Sequence, residues 1–181
     1  MSKLSIPVSK QDHIQGYETA AVTLVEYGDY ECPYCGEAYY VLKAVQKAMG
    51  EDLRFVFRNF PLAEIHPHAL HAAEFAEMAA TQGLFWQAHD LLYKNQNALT
   101  DHDLLAYATA LGIAPATVAT AFDGRFQERI ETDFRGGLRS GVNGTPTLFI
   151  NGTRYDGARD AASLVTVLRE VKDLLVSNQS R

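Results

Sequence analysis

Residues 21–35 read AVTLVEYGDYECPYC, and the interpretation of the whole chain starts from this stretch. Its first seven residues are rich in β-branched and apolar side chains and are followed by a glycine, a pattern typical of a buried strand. From Pro33 to about Met49 the apolar residues recur with the period of a helix. The stretch therefore predicts a strand, a tight turn and a helix, with Cys32 and Cys35 where the turn becomes the helix.

The pattern on the C-terminal side of this stretch predicts one more strand, a block of helices, a hairpin and a last helix. Leu53–Phe60 has the composition of a strand, whereas residues 67–139 have helical spacing that predicts four or five helices. A hairpin is predicted over residues 147–155 because Asn151-Gly152 is a typical two-residue turn, and a helix follows from about Asp160. The order βαβ, helical block, ββα predicts an α/β domain with an all-helical insertion.

Length and composition describe one ordinary globular domain. The chain has 181 residues, of which 47% are hydrophobic and 21% charged. A chain of this length and composition can build a hydrophobic core without disulfide bridges or structural metal ions. Sixteen basic and 22 acidic residues give a net charge of −6, which argues against nucleic acid as a partner. No apolar run is long enough to span a membrane. The first residues lack the features of a signal peptide, so we expect a cytoplasmic location, or an extracytoplasmic one if the sequence was trimmed before Met1.

The two cysteines, Cys32 and Cys35, are spaced as C-x-x-C. A disulfide between them would close a loop too short to constrain the unfolded chain much, so it would add little stability. The spacing therefore indicates a redox pair or half of a metal site. Cys32 is predicted at the helix N-cap, where free backbone N–H groups and the helix dipole favour a thiolate. Cys35 lies one turn deeper on the same face. We therefore expect Cys32 to be the exposed, attacking sulfur and Cys35 to resolve the mixed disulfide.

A metal site is the alternative, because a zinc ion would need two further ligands beside the cysteines. The clustered candidates are His66, His68 and His71. A C-x-x-C that opens a helix after a strand fits redox use better than metal binding, and we expect neither metal nor organic cofactor. The three histidines are interpreted as the surface at a helix entry, with metal binding or a place beside the redox site as the other options.

Three segments together carry a resemblance to a known family. The chain resembles the DsbA-like branch of thiol–disulfide oxidoreductases in the thioredoxin superfamily, from about Gly16 to near its end. The residues that match are AVTLVEYGDYECPYC (21–35), RNFPL (58–62) and VNGTPTLFINGTRYDG (142–157).

The resemblance implies a thioredoxin-like fold (βαβ…ββα) with an all-helical insertion. Its expected parts are a discontinuous thioredoxin-like domain over residues 16–62 and 141–176, an inserted helical domain over 63–140, and an N-terminal extension over 1–15.

For the site, the resemblance makes Pro146 a cis-proline that faces the cysteines. A cis bond would turn the backbone of Thr145 toward Cys32, where it could pair with an extended substrate peptide. We expect Pro33 and Tyr34, between the cysteines, to contact the substrate as well. The alternative for this loop is a simple turn before a strand.

Glu26 is a further candidate because its side chain is expected on the same face of the strand as those of Val22 and Leu24. These apolar neighbours suggest that the face is buried. By the resemblance Glu26 would be a buried carboxylate with a raised pKa that takes the proton from Cys35. The alternative is a carboxylate that reaches solvent or pairs with an arginine.

The function expected from these residues is disulfide exchange with protein or peptide thiols. Glutathione and a redox-recycling protein are further candidate partners. Pro33-Tyr34 is the dipeptide of glutaredoxins, and Thr145 replaces the valine of the strongest oxidants, so we expect an intermediate redox potential. Two alternatives stay open: a glutathione-dependent, glutaredoxin-like disulfide reductase, and a non-catalytic binding module with a thioredoxin fold.

Overall fold

A five-stranded mixed sheet organises the protein in a computed structural model that describes residues 2–179. The strands are β1 (His13–Gly16), β2 (Val22–Gly28), β3 (Leu53–Asn59), β4 (Thr147–Ile150) and β5 (Thr153–Tyr155). They lie side by side in the order β1-β3-β2-β4-β5. Strands β2 and β3 are parallel and the other neighbouring pairs are antiparallel.

The helices cover the sheet and fill the connection between β3 and β4. They are α1 (Pro33–Met49), α2 (Ala69–Ala80), α3 (Phe85–Lys94), α4 (Asp101–Ala110), α5 (Pro115–Ala119), α6 (Gln127–Arg139) and α7 (Ala161–Gln179). Helix α1 crosses from β2 to β3, α2 to α6 form the insertion, and α7 follows the hairpin of β4 and β5. The predicted fold class, a thioredoxin-like α/β fold with an all-helical insertion, is confirmed.

Strand β1 was not predicted from the sequence. It has four residues, none of them fully buried, and it pairs antiparallel with β3 so that His13 stands opposite Phe57. Its side chains lack the alternation of a half-buried strand, and its partner is some forty residues away in the chain. The pairing therefore depends on long-range contacts that a local pattern does not encode.

The predicted hairpin turn has the expected backbone. Asn151 and Gly152 have φ angles of 45° and 79°, the positive values that a type I′ turn requires at both central positions. The side chain of Asn151 also accepts a hydrogen bond from the N–H of Thr23 at 2.7 Å. The turn that joins β4 to β5 is thus tied to the start of β2.

Strand β2 is buried on both faces, and its alternating side chains belong to two different parts of the core. Val22 and Leu24 pack on the face that α1 and α3 cover, whereas Val25 and Tyr27 pack on the other face. Because side chains alternate along a strand, Glu26 belongs to the face of Leu24. A carboxylate is therefore placed inside the larger apolar cluster.

A buried polar network at the end of β3 fixes the insertion to the sheet. The side chain of Asn59 donates to Glu77 of α2 at 2.6 Å, and its backbone N–H donates to Asp133 of α6 at 3.0 Å. Glu77 also pairs with His13 of β1 at 2.8 Å. One strand end is thereby joined to two inserted helices and to the edge strand.

Arg58, the neighbour of Asn59, holds the N-terminal segment against the face of the sheet on which Val25 and Tyr27 lie. Its guanidinium donates to both carboxylate oxygens of Asp12, at 2.7 and 3.0 Å, and to the backbone oxygens of Ile6 and Pro7. The two charged side chains are only 3% and 6% exposed. This ion pair is buried and bidentate, so each charge depends on the other.

We expect Arg58→Met to lower the free energy of unfolding by about 3–5 kcal/mol, because it leaves Asp12 buried without its partner. Arg135→Met is the control, since it removes an exposed pair with Glu131 and should change stability little. Urea denaturation of the two variants measures both effects. Equal losses in both would show that the Arg58 pair contributes no more than a surface pair.

Candidate active site

The turn between β2 and α1 places Cys32 at the first turn of a helix. Cys32 is the N-cap of α1 with extended backbone, and Pro33 occupies the first helical position, where its missing N–H is no loss. The N–H groups of Cys35 and Gly36 both donate to the Cys32 carbonyl at 3.1 Å. Both thiols are free and buried, with Cys32 4% and Cys35 0% exposed. The expectation that Cys32 is exposed is therefore wrong, because the sulfur lies against the backbone of Thr145.

Hydrogen bonds at the helix start favour the thiolate of Cys32. The hydrogen bond from Cys35 lowers the pKa of Cys32 to about 5; burial opposes this shift, while Thr145 and the N–H groups of Cys35 and Tyr34 support it. Only the protonated form of Cys32 can donate to the backbone oxygen of Thr145, which lies 3.4 Å from the sulfur. A pKa near 5 leaves Cys32 almost wholly ionised at neutral pH, the state that attacks a disulfide.

Cys35 behaves in the opposite way. Burial raises the pKa of Cys35 well above its usual value, and the hydrogen bond it gives to Cys32 and the charges of Glu26 and Cys32 raise it further. The N–H of Asp29 lies 3.5 Å from its sulfur and acts against this shift. The pair is therefore asymmetric, with one thiolate and one protonated thiol.

Glu26 lies in the same buried region with an unpaired oxygen. It is 1% exposed, and its Oε1 makes no hydrogen bond to any of residues 2–179. Burial, followed by the charge of Cys32, raises the pKa of Glu26 to about 8. The side chain neither reaches solvent nor pairs with an arginine in the described part of the chain, so the surface alternative for Glu26 does not apply.

The remaining predicted residues either follow Cys32 in the chain or belong to the Thr145–Pro146 loop, which its sulfur contacts. The Thr145–Pro146 peptide bond is cis, and the ring of Tyr34 is 69% exposed. A cleft of about 170 Å³ runs between the start of α1 and this loop, and its lining consists of Tyr34, Glu37, Ala38, Val41, Pro146 and Arg159. The fold thus brings every predicted site residue to one end of β2.

Asp29 was missed by the sequence reasoning although it stands at the end of β2. Its buried carboxylate accepts from the N–H groups of Glu31 and Leu62, each at 2.8 Å, and pairs with His66 at 2.7 Å. The contacts join the active-site turn to the segment that follows β3. A polar residue at the end of a strand, three positions before Cys32, was the one available signal.

The three histidines do not share a ligand. His66 pairs with Asp29, the backbone of His68 donates to Glu31, and His71 pairs with Asp101. Over residues 2–179, no three His, Cys, Asp or Glu side chains are grouped so as to hold a metal ion.

Gln96, in the loop after α3, holds the active-site turn from the side of the insertion. Its side-chain amide donates to the backbone oxygens of Tyr30 at 2.8 Å and Cys32 at 2.9 Å. A Cβ at position 36 would stand 1.9 Å from Gln96 Oε1, so any larger residue there has to displace the Gln96 side chain. No sequence signal marked Gln96, since the contact spans more than sixty residues.

The model of the family described as Thioredoxin matches residues 8–170, so the chain belongs to this thioredoxin family. The structure is similar to the oxidised BdbD of Bacillus subtilis, with a TM-score of 0.83, 23% identity, and coverage of 95% of this chain and 98% of that one. It is also similar to alpha-DsbA1 of Wolbachia pipientis, with a TM-score of 0.81, 16% identity, and coverage of 97% and 98%. The DsbA-like resemblance is confirmed at the level of the fold.

Among curated sequences, the chain is 43% identical over 165 residues to the Na(+)/H(+) antiporter NhaA 1 of Salinispora arenicola. The match covers 89% of this chain and 25% of that protein. The chain thus spans about a quarter of the length of the curated relatives it matches. No helix within residues 2–179 combines the length and apolarity needed to cross a bilayer.

The predicted cytoplasmic location is wrong. A similar structure is described as a periplasmic thioredoxin-like protein from Salmonella enterica serovar Typhimurium, with a TM-score of 0.78, 23% identity, and coverage of 91% of this chain and 92% of that one. The prediction rested on the composition of the first residues, which does not determine the compartment. Disulfides form and persist in oxidising compartments such as the periplasm.

The contact between Gln96 and Gly36 predicts that the effect of Gly36→Ala on stability changes sign when the Gln96 side chain is removed. Gly36→Ala in the parent should lower stability by about 1–3 kcal/mol, because it displaces the amide that donates to the backbone oxygens of Tyr30 and Cys32. In a Gln96→Ala background the same substitution should be neutral or stabilising, because alanine is the better helix former. Urea denaturation of the four proteins gives the coupling. Equal effects of Gly36→Ala in both backgrounds would contradict the contact.

The buried carboxylate predicts how stability depends on pH. The pKa of Glu26 is raised from 4.5 to about 8 on folding, so the folded chain binds the proton more tightly and loses stability as pH rises between these values. We expect Glu26→Gln to match the reduced parent near about pH 4.5 and to exceed its free energy of unfolding by on the order of a few kcal/mol above about pH 8.

Glu170→Gln, which alters an exposed glutamate of α7, is the control and should follow the parent at every pH. Urea denaturation of the reduced proteins across this pH range tests the expectation. A constant difference between Glu26→Gln and the parent would contradict it.

Proposed function

We propose that the protein is a thiol–disulfide oxidoreductase that exchanges disulfides with protein or peptide thiols through Cys32 and Cys35. The observation that carries the proposal is the asymmetry of the pair: the pKa of Cys32 is lowered to about 5, while that of Cys35 is raised by burial. An attacking thiolate beside a protected resolving thiol is what two-step exchange requires.

In the direction that reduces a substrate, the Cys32 thiolate attacks one sulfur of the substrate disulfide. A Cys32–substrate disulfide forms and the other substrate sulfur leaves as a thiolate. Cys35 then loses its proton and attacks Cys32, so the Cys32–Cys35 disulfide forms and the second substrate thiol is released. Oxidation of a dithiol substrate is the same sequence in reverse.

Glu26 is proposed as the group that takes the proton of Cys35. Formation of the mixed disulfide removes the charge of Cys32, which is one of the two causes that raise the pKa of Glu26. A larger fraction of Glu26 is then ionised when Cys35 must lose its proton. The first step, attack by Cys32, thereby makes Glu26 a better proton acceptor for the second step, attack by Cys35.

Thr145 and Pro146 are proposed to bind the substrate beside Cys32. The backbone oxygen of Thr145, 3.4 Å from the Cys32 sulfur, is available to pair with an extended peptide once that sulfur is bonded to substrate. Tyr34 and the neighbouring cleft offer contact to the residues that flank the substrate cysteine. Pro33 contributes by fixing the start of α1.

We place the redox potential between those of strong oxidants and reductants. A low pKa of the attacking thiol stabilises the reduced form and makes the disulfide more oxidising. The value of about 5 for Cys32 lies between about 3.5 in DsbA and about 7 in thioredoxin. An extracytoplasmic, oxidising compartment suits this potential, and a redox-recycling protein would restore the pair after each turnover.

Trapping of intermediates tests the proposal. Cys35→Ser should accumulate a mixed disulfide between Cys32 and an oxidised peptide, because the resolving thiol is missing. Cys32→Ser should accumulate none, because the pKa of Cys35 keeps it protonated. Mass spectrometry of both variants after exposure to the peptide measures the adducts.

An adduct on Cys35 in the Cys32→Ser variant, with none on Cys32 in the other, would reverse the roles. Faster turnover of oxidised glutathione than of the peptide by the parent would favour the glutathione-dependent reductase. No adduct in either variant, together with stoichiometric metal in the purified protein, would favour the binding module.

A further inference from the structure

The backbone N–H of Asp29 is directed at the sulfur of Cys35. The nitrogen lies 3.5 Å from Cys35 Sγ, and both residues are buried. Asp29 precedes α1, in the turn that follows β2, so this donor reaches the sulfur from outside the helix that carries it. A hydrogen bond donated to sulfur favours the thiolate over the thiol, and this contact acts against the groups that raise the pKa of Cys35.

The side chain of Asp29 fixes the place of that N–H, because its carboxylate is bound on both sides. One oxygen accepts from the N–H of Glu31 at 2.8 Å, two residues further along the turn, as in an Asx-turn. The other oxygen accepts from the N–H of Leu62 at 2.8 Å and from Nδ1 of His66 at 2.7 Å. Leu62 and His66 are themselves joined, since the N–H of His66 donates to the Leu62 oxygen at 2.9 Å.

The backbone oxygen of Asp29 is bound as well. It accepts from the N–H of Cys32 at 3.2 Å, a bond that closes the turn leading into α1. The main chain of Asp29 therefore contacts both cysteines, through its oxygen at the N–H of Cys32 and through its N–H at the sulfur of Cys35. A displacement of Asp29 would move a donor away from the resolving sulfur.

The number of donors around Asp29 requires a carboxylate. Three donors meet its two oxygens, and an ionised carboxylate accepts on both sides, whereas asparagine has one acceptor oxygen and an NH₂ group that only donates. An Asx-turn needs the bond to Glu31 alone. The two further donors therefore give this residue a rigidity beyond what closing the turn demands.

We propose that Asp29 is a positioning residue for the resolving step, an inference that rests on the exchange reaction proposed above. Its anchored carboxylate holds its own N–H against Cys35 Sγ, where the N–H stabilises the thiolate that forms. In this step Cys35 gives its proton to Glu26 and attacks Cys32. The Cys32–Cys35 bond forms, the bond from Cys32 to the substrate breaks, and the substrate sulfur leaves as a thiolate. The N–H of Asp29 keeps its proton throughout.

Other titratable groups that face Cys35 disfavour its thiolate or stay neutral. Burial is the largest cause that raises the pKa of Cys35, followed by its hydrogen bond to Cys32 and the charges of Glu26 and Cys32. Tyr93 of α3 faces the same region, and burial raises its pKa well above the usual value, so it stays a neutral phenol. Stabilisation of the Cys35 thiolate therefore has to come from a donor such as the N–H of Asp29.

The two parts of Asp29 act on Cys35 in opposite directions. Its N–H favours the thiolate, whereas the negative charge of its carboxylate disfavours a second negative charge nearby. A role in positioning and a role of the charge alone therefore predict opposite effects when the side chain is removed. Loss of the position slows the attack by Cys35, and loss of the charge speeds it.

Asp29→Ala tests the proposal in stopped-flow measurements with the chromogenic disulfide dithiobis(nitrobenzoate). Attack by Cys32 releases one coloured thiolate at a rate that depends on the reagent concentration, and attack by Cys35 releases a second at a rate that does not. We expect Asp29→Ala to slow the second step about tenfold or more, because a hydrogen bond to a charged group is lost. Its pH–rate profile should move to higher pH, while the first step keeps the parent rate. A faster second step would contradict the proposal.

Asp133→Ala is the matched control. Asp133 is also a buried carboxylate that accepts a backbone N–H, but its partners, Asn59 and Arg129, lie outside the active-site turn. Its loss should lower stability to urea and leave both rates unchanged. Asp29→Asn keeps one acceptor oxygen and loses the charge, so its second step should be faster than that of Asp29→Ala. Equal slowing by Asp133→Ala and Asp29→Ala would reduce Asp29 to a residue that only stabilises the fold.

Hydrogen exchange of the Asp29 amide gives a second measurement, which holds even if Asp29→Ala does not fold. In the reduced parent this amide should exchange more slowly than in Cys35→Ala, which removes the acceptor sulfur. Equal exchange would overturn the role of Asp29. A parent that releases two coloured thiolates, with Asp29→Ala at the parent rate in the second step, overturns that role alone. A parent that releases only one overturns the proposed function and the role of Asp29 together.

Discussion

The site depends on one electrostatic constraint: two acidic groups and a thiolate share a buried region at the end of β2. Burial raises the pKa of Cys35 and of Glu26, and both groups therefore stay protonated while Cys32 is ionised. Burial acts on Cys32 as well, but hydrogen bonds from the Cys35 thiol and from backbone N–H groups at the start of α1 outweigh it and lower the pKa of Cys32. The helix start provides a single stabilised negative charge, and the surrounding apolar core disfavours a second one.

The fold maintains this arrangement by holding the active-site turn from several directions. Asp29 ties it to the segment after β3, and Gln96 ties it to the helical insertion. At the same end of β3, Asn59 joins two inserted helices to the sheet. The insertion is thus bonded both to the sheet and to the turn that carries the cysteines, so it acts as part of the site's framework.

The features that could be predicted from the sequence are those that residues close together in the chain determine. The start of α1 at Pro33, the Asn151-Gly152 turn and the burial of Glu26 each follow from spacing within a few residues. Strand β1 and the contacts of Gln96 could not be predicted in this way, because each depends on a partner between about forty and sixty residues away. Asp29 falls between the two cases, since its position was visible but its partners were not.

The burial of Cys32 has a consequence for the timing of any reaction at this site. The residue is 4% exposed, although Tyr34 beside it projects into solvent. In the proposed exchange reaction, a partner's cysteine has to reach a sulfur that is almost covered, which a flexible stretch of chain does more readily than the surface of a folded domain. A cysteine already enclosed in a partner's compact core is out of reach, whereas the same cysteine in a newly made, still unfolded chain is accessible. Under the proposed function, the burial of Cys32 therefore favours reaction at an early interval in the life of each substrate molecule, before it has folded.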